Sequence, residues 1–274
     1  MLVKKEKIRI CITGSDGFVG KNLIDLLSND KTIESIPFIG DLLDKDQVKS
    51  FFDRNGKFHH VVHLAGVFFG DSKKLIDINI TALLHLLEEM QSRDISKIIF
   101  TSSGAVYGEP LANISKEDDQ LNPNTFYGFT KKIAEELINY YHSNSGLEYV
   151  ILRFPNVYGD GNDKGVIFNF LESIKKNKEI VVFGDGDQSR NFLHVTDACE
   201  AIYKSILFDH NSEIFNISTP EKISVNDLIK RLKAKYDFKV THQPANNNLK
   251  DLLLDSSKAR NVLKFVPKVK ELKI

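Results

Sequence analysis

The feature that most constrains the fold is a glycine-rich loop that follows the first apolar run of the chain. The run covers residues 8–13, and Gly14, Gly17 and Gly20 come directly after it. Apolar residues then recur at helical spacing from Val19 to Leu27. A strand that ends in a glycine turn and continues as a helix is typical of the first unit of a parallel α/β sheet.

The alternation of apolar runs and helical patterns continues through most of the first half of the chain. β-rich runs occur at 33–39, 60–65, 97–101 and 149–153, and segments with helical spacing separate them. This pattern predicts an α/β fold with a doubly wound parallel Rossmann sheet. Glycine- and aspartate-rich loops later in the chain indicate a smaller C-terminal substrate-binding lobe. We expect a Rossmann domain of residues 1–158 plus about 191–217, and a substrate lobe of about 159–190 plus 218–274.

Composition excludes several classes of partner. The 274 residues include 37 basic and 37 acidic side chains, so no overall charge attracts nucleic acid or an anionic membrane. No apolar run approaches the ~20 residues that span a bilayer, and residues 1–7 lack the apolar stretch of a secretory signal. We therefore expect a cytoplasmic protein. Cys11 and Cys199 have no metal-ligand spacing, which predicts two packing residues and no metal site.

The glycine loop can bind a dinucleotide pyrophosphate. Glycines leave backbone N–H groups unobstructed, and the following helix directs the positive end of its dipole at the phosphates. Asp41 lies 21 residues after Gly20, close to the ~20 expected for a carboxylate that bonds the adenosine ribose. Residues 36–44 contain no basic side chain for a ribose phosphate. The loop therefore favours NAD over NADP.

A tyrosine and a lysine four residues apart suggest proton transfer. Tyr127 and Lys131 lie on one face of a predicted helix, and a tyrosine can pass a proton to or from a hydroxyl or carbonyl. A free tyrosine has a pKa of about 10, so an efficient base near neutrality needs a neighbouring cation. Lys131 supplies that charge. Together with the dinucleotide loop, this pair predicts a hydride-transfer enzyme.

These motifs resemble the extended short-chain dehydrogenase/reductases of the NAD-dependent epimerase/dehydratase family, which act on nucleotide sugars. The resemblance covers nearly the whole chain. Its motifs are TGxxGFxG at 13–20, HxAG at 63–66, Asn79, SSxxVYG ending at Gly108, YxxxK at 127–131, RxxNVYG at 153–159 and GDGxQxRDFxHV at 184–195.

The resemblance implies a role for each matching residue. Tyr127, Lys131 and Ser103 would be catalytic, with Ser102 the next candidate for the serine, and Lys131 would also bond the nicotinamide ribose. Ser103, Asn156 and Arg190 would contact the nucleotide-sugar substrate, Arg190 through its phosphates, unless that arginine pairs instead with Asp185 or Asp187. The NAD contacts implied are Gly14, Asp16, Gly17, Phe18, Val19, Asp41, Leu42, Leu64, Ala65, Gly66, Asn79, Thr101, Ser102, Tyr127, Lys131 and Phe154.

Departures from the family pattern reduce the number of reactions that the sequence favours. Gly104 and Ala105 occupy the positions where 4,6-dehydratases carry an Asp-Glu pair, which disfavours dehydration. The segment 31–58 is short, as though one strand-helix excursion were missing. The most favoured function is a nucleotide-sugar 4-epimerase of the UDP-glucose/galactose type. The alternatives are a 4-keto-6-deoxysugar-nucleotide reductase acting on a dTDP, GDP or CDP sugar, and a non-catalytic dinucleotide-binding protein.

Three further expectations concern packing. Relatives often dimerise through two helices per subunit, one of them the YxxxK helix, so a homodimer is possible. Thr196 or Asp197 is expected to cap a helix, and Ser224 with Asp227 another. The lysine-rich stretch 258–274 predicts a solvated basic tail.

Overall fold

The computed structural model describes residues 7–108, 114–176, 179–209, 212–245 and 251–274. Its main sheet has six strands in the order β10-β5-β4-β3-β1-β2, and every neighbouring pair is parallel. The strands described are β1 Ile8–Thr13, β2 Ile33–Pro37, β3 His60–His63, β4 Lys97–Ser103, β5 Glu148–Phe154, β6 Asn156–Tyr158, β7 Ile180–Phe183, β8 Ser189–Arg190, β9 Phe192–His194, β10 Glu213–Asn216, β11 Ile223–Ser224 and β12 Val240–Gln243.

Helices cover both faces of the main sheet. One core cluster includes residues of α1 and α7, and a second, on the opposite face, includes residues of α2, α4 and α5. The expected doubly wound fold is confirmed. The helices described are α1 Phe18–Leu27, α2 Lys45–Asn55, α3 Ser72–Ile76, α4 Ala82–Ser92, α5 Phe126–Ser145, α6 Gly165–Lys175, α7 Val195–Ile206, α8 Val225–Lys233 and α9 Ser257–Asn261.

The first strand shows why the sheet needs two covered faces. Ile10 and Ile12 belong to one core cluster, whereas Cys11 between them belongs to the other. Side chains alternate along a strand, so a wholly apolar strand is stable only between two layers of helices. Cys11 and Cys199 are both buried, as expected, and burial raises the pKa of the Cys199 thiol to about 12.

The order of the strands places a crevice at the ends of β1 and β3. The chain leaves β1 for β2 on one side and then returns to β3 on the other side. Ligands of open α/β sheets bind outside the carboxyl ends of the strands at such a reversal. Within the described sheet, only β2 lies beyond β1. The short segment 31–58 contains this one strand and the helix α2.

Helix caps follow from local side chains, with one correction. Ser224 and Asp227 form the expected reciprocal capping box of α8. The expectation for α7 was wrong, because its N-cap is His194, whose side chain accepts a hydrogen bond from the Thr196 backbone N–H. Asp197 is 1% exposed and has a different partner.

That partner is the C-terminal segment, for which the expectation of a solvated tail was also wrong. The Asp197 carboxylate accepts hydrogen bonds from the backbone N–H groups of Lys268 (2.9 Å) and Val269 (3.0 Å). Leu263 and Phe265 are buried within the core cluster that includes α1 and α7. Lys264, Lys268, Lys270 and Lys273 are exposed, whereas Lys258 is half-buried and pairs with Glu213 at 2.6 Å. Alternate apolar residues anchor the stretch to the sheet domain.

The second lobe is built from short elements. Outside the main sheet, the described strands form three pairs, β6 with β9, β7 with β12, and β8 with β11. Side chains of α6 and α8 form smaller apolar clusters with them. The division into two domains remains a prediction, and the burial of Leu263 and Phe265 links the C-terminal segment to the sheet domain. No helix in the described parts of the chain is long and apolar enough to cross a membrane.

Candidate active site

A cavity of about 610 Å³ lies at the crevice between the sheet and the second lobe. The structure brings most of the predicted site residues together there. Those that line it are Gly14, Gly17, Phe18, Val19, Leu64, Gly66, Thr101, Ser102, Ser103, Tyr127, Lys131, Phe154, Asn156 and Arg190. Five predicted cofactor residues are not part of this lining, namely Asp16, Asp41, Leu42, Ala65 and Asn79.

The glycine loop forms one end of the cavity. Gly14 has φ +67°, a left-handed conformation that favours glycine, and a Cβ on it would lie 2.6 Å from the Ala65 backbone nitrogen. A Cβ on Gly20 would lie 2.2 Å from the Gly14 carbonyl oxygen. Gly17 begins the ten-residue helix α1 without any side-chain cap. The first N–H groups of this helix therefore have no side-chain acceptor and suit a diphosphate.

The turn after β2 carries Asp41 outside the cavity lining. Its carboxylate accepts a hydrogen bond from the Leu43 backbone N–H at 2.9 Å, and the side chain is exposed. The carbonyl of the neighbouring Leu42 is bonded to His85 at 2.9 Å. A carboxylate at this position leaves room for a ribose hydroxyl as a further donor.

Asn79 supports the site from beneath. It is 2% exposed and lies in a π-helical turn, Asp77–Thr81. Its amide donates to the Val67 carbonyl (2.8 Å) and to Thr130 Oγ1 (3.0 Å), and it accepts from the Val67 N–H (2.9 Å). These bonds use both amide hydrogens. Asn79 therefore holds the loop after β3 against α5.

Close backbone packing brings Tyr127 next to Ser103. Thr125 caps α5 by accepting from the Gly128 N–H, so Tyr127 stands in the first turn of the helix. A Cβ on Gly128 would lie 2.3 Å from the Ala105 carbonyl, in the tight turn that follows β4. Only glycine permits this approach. The result is a hydrogen bond between the side chains of Tyr127 and Ser103.

Burial and hydrogen bonding act in opposite directions on the proton of Tyr127. Burial raises the pKa of Tyr127, and the hydrogen bond with Ser103 lowers it, with burial the larger effect. A neighbouring positive charge would lower the pKa of Tyr127.

Lys131 lies four residues further along α5 and is 5% exposed. Its Nζ donates to the Thr101 carbonyl at 2.9 Å and lies 4.6 Å from the centre of the Phe100 ring. Burial lowers the pKa of Lys131 to about 8, and the negative charge of Glu135 partly opposes this shift. At neutral pH the ammonium is protonated and can attract negative charge into the cavity.

Sequence reasoning missed a buried network behind these groups. The Arg153 guanidinium donates to both carboxylate oxygens of Glu135, at 3.1 and 2.7 Å, and to the Tyr107 hydroxyl at 2.7 Å. The Ser102 hydroxyl also donates to Glu135. The serine that is hydrogen-bonded to Tyr127 is Ser103. The network joins α5, β4 and β5, the elements that carry the predicted catalytic residues.

Asn156 in β6 and Arg190 in the second lobe complete the predicted substrate residues. Arg190 donates to the Ser189 carbonyl at 2.8 Å. Burial lowers the pKa of Arg190 below its usual value, and the negative charge of Asp251 partly opposes this shift. Asn156 is exposed at the start of β6.

Phe68 and Lys164 are among the lining residues that sequence reasoning missed. Phe68 follows the HxAG element and is 49% exposed, and Lys164 stands in the loop before α6. The signal for Phe68 was available in the sequence as two adjacent phenylalanines between glycines, in residues 66–70. Among the described residues, no cluster of histidine, cysteine and acidic side chains could hold a metal ion.

Comparison with known proteins gives consistent matches over almost the whole chain. A family model described as the NAD dependent epimerase/dehydratase family matches residues 10–218. A Methanocaldococcus jannaschii protein provisionally named a UDP-glucose 4-epimerase is 32% identical over 287 residues, which cover 92% of each chain. Escherichia coli dTDP-4-dehydro-6-deoxyglucose reductase is 28% identical over 95% of this chain and 93% of its own. The crystal structure of Thermotoga maritima UDP-glucose 4-epimerase with UDP-glucose superimposes with a TM-score of 0.85 at 27% identity, covering 95% and 94% of the two chains.

Proposed function

From the premise that the chain belongs to the NAD-dependent epimerase/dehydratase family of enzymes, we propose that it is a nucleotide-sugar 4-epimerase of the UDP-glucose/galactose type. The family match confirms the expected class of enzyme and NAD as the cofactor of that class. The observation that carries the proposal is the hydrogen bond of Tyr127 with Ser103 beside the buried Lys131, within the cavity at the glycine loop.

The residues around the glycine loop fit NAD. The uncapped N-terminus of α1 would hold the pyrophosphate, Asp41 the adenosine ribose and Lys131 the nicotinamide ribose. Residues 36–44 contain no lysine or arginine, and the next basic side chain is Lys45 at the start of α2, which favours NAD over NADP. When bound, the oxidised nicotinamide supplies a positive charge and accepts a hydride from the sugar carbon.

Tyr127 would move the proton of the same reaction. In its ionised form, the Tyr127 phenolate oxygen would accept the proton of the sugar C4 hydroxyl, and the resulting phenol would return that proton to the C4 oxygen when the ketone is reduced. Ser103 would hydrogen-bond the same oxygen and hold it near Tyr127. The protonated Lys131 stabilises the negative charge on Tyr127. In an epimerase the cofactor would end each cycle in its starting oxidation state, so Tyr127 would return each proton that it accepts.

The turn after β4 argues against dehydration. Gly104 and Ala105 offer no acid that could remove a hydroxyl from the sugar. A Cβ on Gly104 would lie 3.2 Å from Leu254 Cδ2, so a larger residue there must displace a buried leucine. Leu254 thus makes the cavity wall beside Gly104 apolar, which supports a reaction at C4 without loss of water.

The substrate diphosphate would bind at Arg190, which lines the cavity. Its planar guanidinium can donate two parallel hydrogen bonds to a phosphate. Asn156 would contact the sugar or the diphosphate from β6.

The first test is to incubate the purified protein with UDP-glucose and to follow the formation of UDP-galactose without added cofactor. We expect interconversion with catalytic amounts of retained NAD and no net reduced nicotinamide. Absence of hydride transfer to any nucleotide sugar, in protein shown to contain NAD, would favour the non-catalytic alternative.

One observation favours the reductase as a second candidate. The described sheet has a single strand beyond β1, so the half of the sheet that would bind the nucleotide is compact. The E. coli dTDP-4-dehydro-6-deoxyglucose reductase matches this chain over nearly the same length. A reductase would consume stoichiometric reduced cofactor with dTDP-4-dehydro-6-deoxyglucose. Stoichiometric consumption with that sugar, and no conversion of UDP-glucose, would replace the epimerase proposal.

We extend the proposal to a homodimer that packs through α5. Phe126 and Phe129 lie 39% and 45% exposed on this helix, with their ring centres 5.9 Å apart. Such a pair of exposed aromatic rings is typical of an interface. Light scattering on the wild-type protein should give twice the mass of the 31.1 kDa chain, whereas a monomer at micromolar concentration would contradict the proposal.

A further inference from the structure

We propose that Phe100 in β4 is a positioning residue for the reaction, because the face of its ring holds the Lys131 ammonium at the cavity wall and keeps that group charged. Phe100 is 1% exposed and lies outside the cavity lining, so it would act through Lys131. The inference rests on the proposed function, in which a charged Lys131 stabilises the ionised form of Tyr127. It goes beyond that function because it names a residue that touches neither the sugar nor NAD.

The Lys131 ammonium lies unusually close to this ring. Its Nζ is 4.6 Å from the centre of the Phe100 ring, whereas the other distances between a cation and a ring centre among the described residues are between 5.0 and 5.7 Å. Both side chains are buried, since Lys131 is 5% exposed. The negative face of an aromatic ring attracts a cation most strongly where water is excluded. The ring therefore favours the charged form of Lys131, whereas aliphatic carbon in its place would only disfavour that form.

The register of the sheet fixes the position of the ring. Thr13 in β1 pairs with His63 in β3, and His63 pairs with Phe100 in β4. Side chains at paired positions lie on the same face of a parallel sheet, here the face that α5 covers. The His63 ring lies nearly parallel to the Phe100 ring, with centres 5.9 Å apart and an interplanar angle of 15°, and its Nδ1 is hydrogen-bonded to Thr13 Oγ1 at 2.7 Å. This row of three side chains holds the Phe100 ring against α5.

The remaining contacts of the ammonium leave one of its N–H groups for a ligand. An ammonium has three N–H donors. Within the described part of the chain, one of them donates to the Thr101 carbonyl at 2.9 Å, and the Phe100 ring covers another side. A Cβ on Gly66 would lie 3.4 Å from Lys131 Nζ, so the backbone after β3 also limits the movement of the ammonium. Since Lys131 lines the cavity, the remaining donor can reach a ligand there.

The titratable groups around Lys131 come from α5 and from two strands. Glu135, one turn further along α5, raises the pKa of Lys131, and its carboxylate is paired with Arg153 of β5 at 2.7 Å. Burial and, to a smaller extent, the charge of Lys131 lower the pKa of His63 in β3 to about 3, so His63 is neutral in the assay and adds no positive charge. Tyr127, on the same helix, is the group whose ionised form Lys131 would stabilise. The Phe100 ring thus adds to the stabilisation of the ammonium that Glu135 provides.

The first test changes the charge distribution of the ring and keeps its shape. Phe100 alone is replaced by 3,4,5-trifluorophenylalanine, whose ring has nearly the same size and a much weaker negative face. The pKa of Lys131 is measured in protein without NAD by NMR of carbon-13-labelled lysine side chains, with Lys131→Met to assign the resonance. We expect this pKa to fall by about one pH unit. The same replacement at Phe51 is the matched control, because Phe51 is 4% exposed and no cation lies over its ring among the described residues.

The second test measures whether the reaction uses this contact. The kcat for UDP-glucose is followed against pH in NAD-loaded wild-type protein, in the trifluorinated protein and in Phe100→Leu, which removes the aromatic face altogether. A shift of about one pH unit in the pKa of Lys131 should lower kcat about fivefold at about pH 8 and less than about twofold at about pH 6.5. A ring that only fills space would instead affect kcat equally at both pH values, and its fluorination would have no effect.

The outcomes separate the inference from the proposed function. A Lys131 pKa that fluorination of Phe100 leaves unchanged would overturn the inference, and so would a shifted pKa with an unchanged pH profile of kcat; both results spare the function. A shifted Lys131 pKa in protein that transfers hydride with neither UDP-glucose nor dTDP-4-dehydro-6-deoxyglucose would overturn the proposed function, while the contact between Phe100 and Lys131 would stand. If Phe100→Leu fails to fold, the trifluorinated protein still decides between these results.

Discussion

The two walls of the cavity are built in different ways. The sheet-side wall carries Ser103, Tyr127 and Lys131 at the ends of long elements, and the buried Glu135–Arg153 pair lies directly behind them. The wall from the second lobe consists of two- and three-residue strands and a loop, 159–165, in which three glycines have φ values of +142°, +84° and +89°.

This difference separates chemistry from recognition. A proton transfer tolerates little displacement, so its groups belong on rigid elements with further hydrogen bonds behind them. Substrate contacts on loops can change without disturbing the sheet. We therefore expect substitutions in the sheet-side wall to reduce turnover or stability, and substitutions in the second lobe to change affinity.

The largest effect should come from Tyr127→Phe. Removal of the hydroxyl takes away the only group proposed to carry the proton, and we expect turnover to fall about 10²–10⁴-fold with NAD binding unchanged. Single-turnover reduction of NAD by UDP-glucose measures the chemical step. Tyr140→Phe on the same helix is the control, since Tyr140 is 62% exposed, and turnover that survives Tyr127→Phe would contradict the assignment.

A substitution in the buried Glu135–Arg153 pair should mainly lower the free energy of unfolding. Glu135→Gln leaves the Arg153 charge buried without its partner, and breaking such a pair costs about 3–5 kcal/mol of the free energy of unfolding. Glu136→Gln, next along α5, removes only an exposed pair with Lys132 at 3.8 Å and should cost under about 1 kcal/mol. Urea unfolding of both variants measures the contrast. Equal small losses would show that the network does not rigidify this wall.

Turnover and stability should both depend on pH through the protonation of Lys131. Its pKa of about 8 means that the ammonium loses its charge as the pH rises through that value, so turnover should fall up to about tenfold per pH unit above it. Stability moves in the opposite direction. Between about 8 and 10.5 the unfolded chain keeps this proton and the folded chain does not, so the contribution of Lys131 to folding rises with pH.

The opposite signs distinguish titration from unfolding. A pH profile of kcat, measured with urea midpoints at the same pH values, should show falling turnover without loss of structure from this residue. Since Glu135 raises the pKa of Lys131, Glu135→Gln should move the alkaline fall in kcat to lower pH. A profile that stays flat beyond about pH 9 would remove Lys131 from the mechanism.

Local patterns explain what the sequence could predict. The glycine loop, the strand alternation and the YxxxK helix depend on residues close together in the chain, so their fold and their place at one sheet edge follow from periodicity and topology. The Gly128 approach to Ala105 makes the Tyr127–Ser103 contact, and the family motifs already indicated that pair.

Contacts between distant residues explain what the sequence did not reveal. Asp197 looked like a helix cap, but it binds the backbone of Val269, 72 residues away, and so turns a lysine-rich stretch into a packed one. Phe68 looked like any loop aromatic until the fold placed it 6.3 Å from Tyr127. Periodicity carries no information about such pairs, because each partner satisfies its own local pattern.

The smallest effect should come from the second lobe. Arg190→Ala removes the proposed phosphate donor, and we expect the KM for UDP-glucose to rise about tenfold while kcat changes less than about twofold, because a group far from C4 binds the ground state and the transition state equally. Arg260→Ala is the control, since Arg260 is exposed and lies outside the cavity lining. If Arg190→Ala instead lowered kcat as strongly as a sheet-side variant, the second lobe would take part in the chemistry and the distinction between the two walls would fail.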